Sequence, residues 1–543
     1  MPLSPLSKEP NSAGSRSARW RWLLVCAALV LGGCASLPPP PASTPSSAIP
    51  PSTRTDLGAK AAQAAASASA PSGHSGFRAM TQASVALDAR LTLIRRAQVS
   101  LDLQYYLLGD DEVGHLMLRE LRDAAQRGVR VRLLLDDFYT NGMDRLLLGL
   151  AATPNVEVRL FNPFGVGRVS GLGRWISLAA DFRRLNHRMH NKLFVADGAV
   201  AIVGGRNLAD GYFMRDPGAN FIDFDALAVG PVVAQLAGIF DVYWNSAQVA
   251  PIAWVAAARE SPDRLRADFD AEVNLFAPRA PPAAPALDAF GIPPLAADLD
   301  AGMPKLIWAE ASAYADPPDK VLSAKDGDLS RTAAFRNLEA FSGARHEVML
   351  FSPYIVPGAK GLKRMQEARD HGITVRVITN SMSATDEPLA SLAYERYREA
   401  MLRMGVELYE LSSLQLYRDP NVRKFFGNSR AQLHVKLGLI DRTTMIIGSM
   451  NLDQRSVTTN TELAVSIRSP ELCQRVLVYF NSANPNDARG AYRVRLAPDG
   501  KSLQWIALGG PDGPELLDGE PEVDRLLRIK LFLMSLFVSE DLL

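Results

Sequence analysis

The chain has 543 residues, 47% hydrophobic and 22% charged, a size that suits one large two-lobed globule or two to three domains. Lys and Arg number 59 against 58 Asp and Glu, a net charge of +1. No global basic field therefore advertises a nucleic-acid partner, although a local groove could still be basic.

Lys8, Arg16, Arg19 and Arg21 precede the apolar run Trp22 to Leu31, which is far too short to span a bilayer. Leu31-Gly32-Gly33-Cys34 follows and resembles the lipobox of bacterial lipoproteins. That resemblance implies a signal peptide over 1–33, cleavage before Cys34 and a diacylated cysteine, two chains being enough for stable anchoring. Ala35 after the cysteine then favours the outer membrane, by the usual sorting rule, for a protein facing the periplasm. Cys26 leaves with the signal and Cys34 is lipidated, so Cys473 has no disulfide partner and reads as a small buried apolar residue. Residues 34–76 are rich in Pro, Ala and Ser and read as a flexible tether without a core.

The folded part is expected from about Phe77. A helical pattern over Ala83–Arg96 leads into an apolar strand at 100–108, then an amphipathic helix, Val113–Gln126, stopped by Gly128. A second strand covers 129–137, and strand–helix–strand order argues for an α/β sandwich with parallel pairing. The second half repeats this as a strand at Glu347–Tyr354, a helix at Leu362–Asp370, Gly372, and a strand at 373–379. Between the halves, Pro281–Pro294 belongs to a connecting segment. The basic stretch Arg418–Arg430 reads as a solvated loop, with headgroup or membrane contact as the alternative. Beyond about 485 come strands at 492–496 and 503–508, then an apolar helix, Leu526–Val538. The expected domains are a first lobe over 77–260, a connecting segment over 261–305, a second lobe over 306–485 and an extension over 486–543.

One pattern occurs twice. His190, Lys192, Asp197, Gly204, Gly205 and Asn207 form the first copy; His434, Lys436, Asp441, Gly448, Ser449 and Asn451 form the second. Gly128 and Gly372 are 244 residues apart, as are His190 and His434, so one offset relates a helix stop and a motif. That is an internal duplication. Side chains two apart on an extended run share a face, so each histidine projects with its lysine, and the Gly-(Gly/Ser)-x-Asn turn can return an amide to the same spot. Two such halves make a phosphate clamp with a nucleophile and an acid on opposite sides.

The two motifs, with QYYLL, AAQRGVRVRLLLDD, FDALAVGP and GSMNLDQRSVTTNTELA, resemble the phospholipase D superfamily across nearly all of residues 77–543. Within it they are similar to the bacterial cardiolipin synthases, especially the C type. The resemblance implies two α/β/α sandwich lobes related by a pseudo-twofold axis, with the active site at their interface. It implies His190 as nucleophile forming a phosphohistidine and His434 as acid and base, with Lys192, Lys436, Asn207 and Asn451 on the non-bridging oxygens. Asp197 and Asp441 read as structural. Gly205 stands where the family has a serine, which leaves Ser449 as the better hydroxyl donor. Glu462 falls where the family places a carboxylate that orients the catalytic histidine, and Asp225, with Asp223 as fallback, is its counterpart. No metal or other cofactor is implied. The implied reaction makes cardiolipin from phosphatidylglycerol and a second phospholipid, phosphatidylethanolamine being one candidate, with an accessory protein left open. Hydrolysis to phosphatidic acid is the alternative, and a nuclease the more distant one.

Overall fold

A computed structural model describes residues 44–165, 168, 170–256, 259–278, 283–303, 305–322, 329–418, 429–480, 490–508 and 513–523, together with 529 and 533. The signal segment, Cys34, most of Arg418–Arg430 and nearly all of Leu526–Val538 lie outside them.

The first half contributes β1 (Ser75–Met80), β2 (Ser100–Tyr105), β3 (Arg130–Asp136), β4 (Val156–Phe161) and β5 (Leu193–Ala196). These are followed by β6 (Val200–Gly204), β7 (Ala219–Ile222), β8 (Asp225–Val229) and β9 (Val249–Pro251). The second half begins with β10 (Ile307–Ala315), β11 (Glu347–Phe351), β12 (Thr374–Asn380) and β13 (Glu407–Leu411). Then come β14 (Arg430–Leu433), β15 (Leu437–Ile440), β16 (Thr444–Gly448) and β17 (Leu463–Arg468). The last are β18 (Ala491–Leu496), β19 (Leu503–Ala507) and β20 (Glu515–Leu517).

Both halves build one sheet plan. β4-β3-β2-β5-β6-β8-β1 in the first corresponds to β13-β12-β11-β15-β16-β17-β10 in the second. The expected parallel pairing holds for β2-β3-β4 and β11-β12-β13; the remaining strands of each run are antiparallel. β9 on β4 and β18 on β13 extend the outer edges alike, so the start of the C-terminal extension is part of the second lobe's sheet. β1 and β10 pair antiparallel, Ser75 opposite Ala309, and join the two sheets into a single 18-stranded one. An antiparallel joint between equivalent strands is what a pseudo-twofold axis requires.

Apolar residues fill three layers. One cluster covers the outer face of the first sheet and another that of the second. A third, containing Phe240, Trp244, Met349, Leu472 and Cys473, draws on both lobes between the sheets. Gly128 and Gly372 follow the ends of equivalent helices with φ of +96° and +76°, a conformation that costs glycine least. The connecting helix Pro262–Phe276 packs on the first lobe through Leu265, Phe269 and Val273, and Asp270 accepts from Arg122 at 2.7 Å. Among the described residues no helix is long and apolar enough to cross a membrane.

The tether needs correction from residue 44 onward. Ser46 accepts from buried Trp244 Nε1 at 3.0 Å and from Arg132, and the Ala48 amide donates to Asp241 at 2.8 Å. Thr55 caps a helix at Asp56–Ser67 that buries Leu57 and Ala64. Composition misses this because the strap holds on by backbone polar groups and small side chains rather than by an apolar stripe.

Candidate active site

Each histidine and its lysine sit on the extended segment just before the first strand of a β-hairpin, β5–β6 or β15–β16. Asp197 and Asp441 occupy the hairpin turns. Asp197 accepts the amides of Gln98, Val99 and Ser100, and Asp441 those of Arg345, His346 and Glu347. Both aspartates therefore fix the motif strand to the preceding helix–strand loop and stand apart from the chemistry.

The lobes exchange strands at the site. β14 runs parallel to β7, Leu433 opposite Ile222, and the His434 amide donates to the Ile222 carbonyl at 2.8 Å. In the symmetric place Met189 bridges Thr461, and the His190 amide donates to the Thr461 carbonyl at 2.9 Å. One residue further along each partner segment stands a carboxylate. His190 Nδ1 lies 3.0 Å from Glu462 Oε2, and His434 Nδ1 lies 2.7 Å from Asp223 Oδ2. Each imidazole is thus oriented by an acid of the opposite lobe, with its Nε2 left as the reacting nitrogen.

Asp225 is not that acid. It forms buried ion pairs with Arg90 at 3.0 Å and Arg206 at 3.3 Å, at the start of β8 in the first lobe's sheet. Asp223 takes the role because it directly follows β7, whose pairing with β14 sets the distance to His434.

Lys192 Nζ donates to the His190 carbonyl and Lys436 Nζ to the His434 carbonyl, each at 2.7 Å, so each amine retains hydrogen-bonding capacity for an anion. Asn207 is held by the Leu107 amide at 3.2 Å and donates to Tyr212 Oη at 2.8 Å. Asn451 is buried, its Oδ1 without a hydrogen-bond partner among the described residues. Ser449 donates to Glu462 rather than facing open space, and Ser456 donates to the other Glu462 oxygen at 2.7 Å.

Burial pushes the His190 imidazole down to about 4, with Glu462 opposing and Lys192 adding to the shift. His434 is held well below the ordinary histidine range by burial and then by Lys436. Both rings are therefore neutral near pH 7. Burial opposes ionisation of Glu462, but His190, Lys192 and Ser449 outweigh it and keep the carboxyl below its usual range. Asp223 is pushed up by burial in spite of Lys436 and Arg206. Lys192 is lowered strongly, and Lys436 to about 8, by burial that nearby carboxylates only partly offset. The two halves are alike in plan and unlike in charge.

Gly205 explains part of that asymmetry. A Cβ there would sit 2.1 Å from Asp223 Oδ1, whose carboxylate is already committed to His434 and, at 2.7 Å, to the Phe224 amide. In the second lobe the serine hydroxyl and the longer glutamate share the corresponding space. Restoring a serine, Gly205→Ser, is therefore expected to displace Asp223 and lower turnover by about 10–100-fold, with the folded state retained by circular dichroism. Unchanged turnover would mean that Asp223 is not needed where it stands.

Several site residues go beyond those the motifs supply. Asp136 accepts the Met189 amide at 2.8 Å and pairs with Arg188 at 2.7 Å, fixing the approach to His190. Tyr106 lies edge-on to His190 with ring centroids 4.9 Å apart, as Tyr212 does to His434 at 5.0 Å. Asp136 and Tyr106 lie at or just beyond the C-terminal ends of parallel strands, where open α/β sheets place their sites, and that position is the signal that could have found them. One His/carboxylate group at metal-ligand spacing, Asp110, His115 and Glu272, occurs among the described residues. Its carboxylates are well exposed, and it lies outside both motifs.

A family model for the cardiolipin synthase, PLD-like domain matches residues 91–244 and 338–483, one copy in each lobe. The chain belongs to this family and is an enzyme of the phospholipase D superfamily. It is 35% identical to cardiolipin synthase C of Escherichia coli (strain K12) over 463 residues, 84% of this chain and 94% of that one. It is 26% identical to cardiolipin synthase B of Salmonella typhi over 73% and 77% of the two chains. The crystal structure of a phosphatidylserine synthase from Haemophilus influenzae Rd KW20 superposes with a TM-score of 0.51 at 14% identity, covering 85% and 92% of the chains. That last likeness is one of fold.

Proposed function

We propose that the chain is a phosphatidyltransferase that makes cardiolipin from phosphatidylglycerol and a second phospholipid. The observation that carries this reading is the pair of buried imidazoles, each oriented by a carboxylate of the opposite lobe beside two buried lysines. His190 Nε2 attacks phosphorus of the first lipid, the bond to the headgroup oxygen breaks, and protonated His434 gives its proton to that oxygen. The incoming phosphodiester anion favours protonation of His434 beforehand. Neutral His434 then takes the proton of a headgroup glycerol hydroxyl of phosphatidylglycerol, which is the acceptor lipid. That oxygen attacks phosphorus and releases His190, closing a ping-pong cycle.

Two features favour lipid transfer over its rivals. Both imidazoles are buried, which restricts water as acceptor. An apolar cavity of about 790 Å³, walled by Phe341, Val348, Leu350 and Ile446, also reaches Lys436 and Gly448. Such a space suits a hydrocarbon chain better than a nucleotide. The lipobox-like Leu31–Cys34 supports anchoring in the envelope, with the outer membrane favoured.

The test is mass-spectrometric lipid analysis of cells lacking their own cardiolipin synthases and expressing this chain. Cardiolipin that disappears with His190→Ala and with His434→Ala supports transfer. Phosphatidic acid in its place means hydrolysis, and no lipid change with folded, anchored protein defeats the reading.

The alkaline limb of the pH profile has a predicted origin. His434 has to carry a proton to act as acid and is held well below the ordinary histidine range in the free enzyme, so kcat/KM should decline gradually with rising pH and steepen past about 8, where Lys436 loses its charge. On the acid side the free nucleophile is lost only as pH approaches the His190 value of about 4. Bound substrate raises the lysine's proton affinity, so kcat alone should fall at higher pH than kcat/KM. A profile flat to pH 10 is the outcome that rules this out.

A further inference from the structure

The helix Gly171–Ala180 is turned inside out. Leu172, Trp175 and Ile176, spaced as one helical stripe, are 73%, 72% and 48% exposed, and Phe182 just beyond is 42% exposed. The buried face is polar: Arg174 and Ser177 are each 7% exposed. Arg174 fixes this orientation. Its guanidinium donates to the Asp137 carbonyl at 2.7 Å, the Thr140 hydroxyl at 3.0 Å and the Arg168 carbonyl at 2.9 Å, and it lies 4.8 Å from the Phe164 ring centroid. Rotating the helix to hide its apolar stripe would break all of these at once. The fold therefore spends a buried arginine on holding a tryptophan and three other large apolar residues outward.

The buried face of this helix is tied to the candidate active site. Arg174 grips the turn that carries Tyr139, which is half-exposed and lies edge-on to Tyr106 at 5.1 Å. Tyr106 is in turn edge-on to His190 at 4.9 Å. Arg183, exposed beside Phe182, adds a positive charge at the rim of the patch.

We infer that Gly171–Phe182 is an interfacial docking element that seats the site on the surface of an anionic phospholipid bilayer. The inference rests on the proposed phosphatidyltransferase reading. An outward tryptophan with flanking arginine suits the headgroup level, where one side of the ring is apolar and the other wet, and a helix this short lies on a membrane rather than through it. Docking here brings the turn that carries Tyr139, and with it Tyr106, close to the lipid. A substrate headgroup then has to rise only a short way to reach His190.

The test compares two substrates for the full chain and for its Leu172→Ser/Trp175→Ser variant. One is phosphatidylglycerol in sealed vesicles; the other is a short-chain phosphatidylglycerol below its micelle concentration. Both changes are on an exposed face, so the fold should persist. Vesicle activity is expected to fall tenfold or more, while activity on the dissolved lipid is unchanged. In wild type, brominated phospholipids should quench tryptophan emission, and Trp175→Phe should remove most of that quenching. Equal vesicle activity and unquenched emission would overturn docking. A variant that changes oligomeric state instead, with vesicle activity retained, would mark the patch as an interface between copies. Should wild type act on neither substrate, the transferase reading fails, and the quenching experiment still decides docking.

Discussion

Replacing His190 with alanine is expected to reduce phosphatidyl transfer by at least about 10⁴-fold, because the covalent route then has no nucleophile. The fold should survive, since His190 lies on an extended segment whose backbone is held by Thr461 and Asp136. His434→Ala should be as damaging on a natural lipid, so loss alone does not separate the two roles. A substrate with a p-nitrophenoxide leaving group does. That group departs without a proton, so His434→Ala should still give a burst of p-nitrophenol equal to the enzyme concentration, with the phosphohistidine accumulating at position 190. His190→Ala should give no burst. The proposed roles rest on the family resemblance, and the acids beside the two rings differ in a way that agrees with them. Glu462 is kept ionised and shared among His190, Ser449 and Ser456, whereas Asp223 has only His434 and one backbone amide. His434 is thus the ring whose proton finds the less divided acceptor. A burst from His190→Ala and none from His434→Ala would exchange the roles.

Much of this is legible in the sequence. The duplicated motif, its offset and the alternation of side chains along extended runs put His190 beside Lys192 and His434 beside Lys436, and the family resemblance implies the two α/β lobes and their pseudo-twofold. The partner of each histidine was less accessible. Asp223 and Asp225 are two residues apart, so the period of an extended chain gives both the same face. Only the pairing of β7 with β14 decides between them, and that is a contact between lobes with no trace in local pattern. Residues 44–76 hide their docking from composition for a related reason. Hydrophobic periodicity detects burial of large side chains, whereas this strap is held by Ser46, Ala48 and a helix whose buried residues are Leu57, Gly58 and Ala64. The helix at Gly171 carries its apolar stripe outward because Arg174 holds the opposite, polar face in the interior.

Asp223→Asn and Asp225→Asn are expected to fail in opposite ways, and this pair tests the corrected assignment most directly. Asp225 carries the only carboxylate paired with two fully buried guanidiniums, Arg90 and Arg206, among the described residues of that cluster. Their remaining contacts are largely carbonyls: Ala86 for Arg90, and Met80, Thr81 and Asp223 for Arg206. Carbonyl dipoles do not neutralise two cations out of water. Removing the single negative charge should therefore cost about 3–5 kcal/mol, the usual penalty for breaking a buried ion pair from one side. Denaturant unfolding should show it as a lower midpoint. Asp223→Asn leaves that pairing intact and takes away the group that orients His434, so activity should fall by about 10²-fold while the unfolding midpoint moves much less. The amide can still accept from His434 Nδ1 but no longer stabilises the charged ring, which is why the loss should appear in kcat more than in KM. Were Asp225→Asn to lose activity at full stability, and Asp223→Asn to unfold early while still turning over, the two aspartates would have to trade places. The crossing of acids between lobes also makes the site indivisible. Each lobe holds its own His-Lys-Asn set, and each histidine is oriented only when the other lobe supplies its carboxylate.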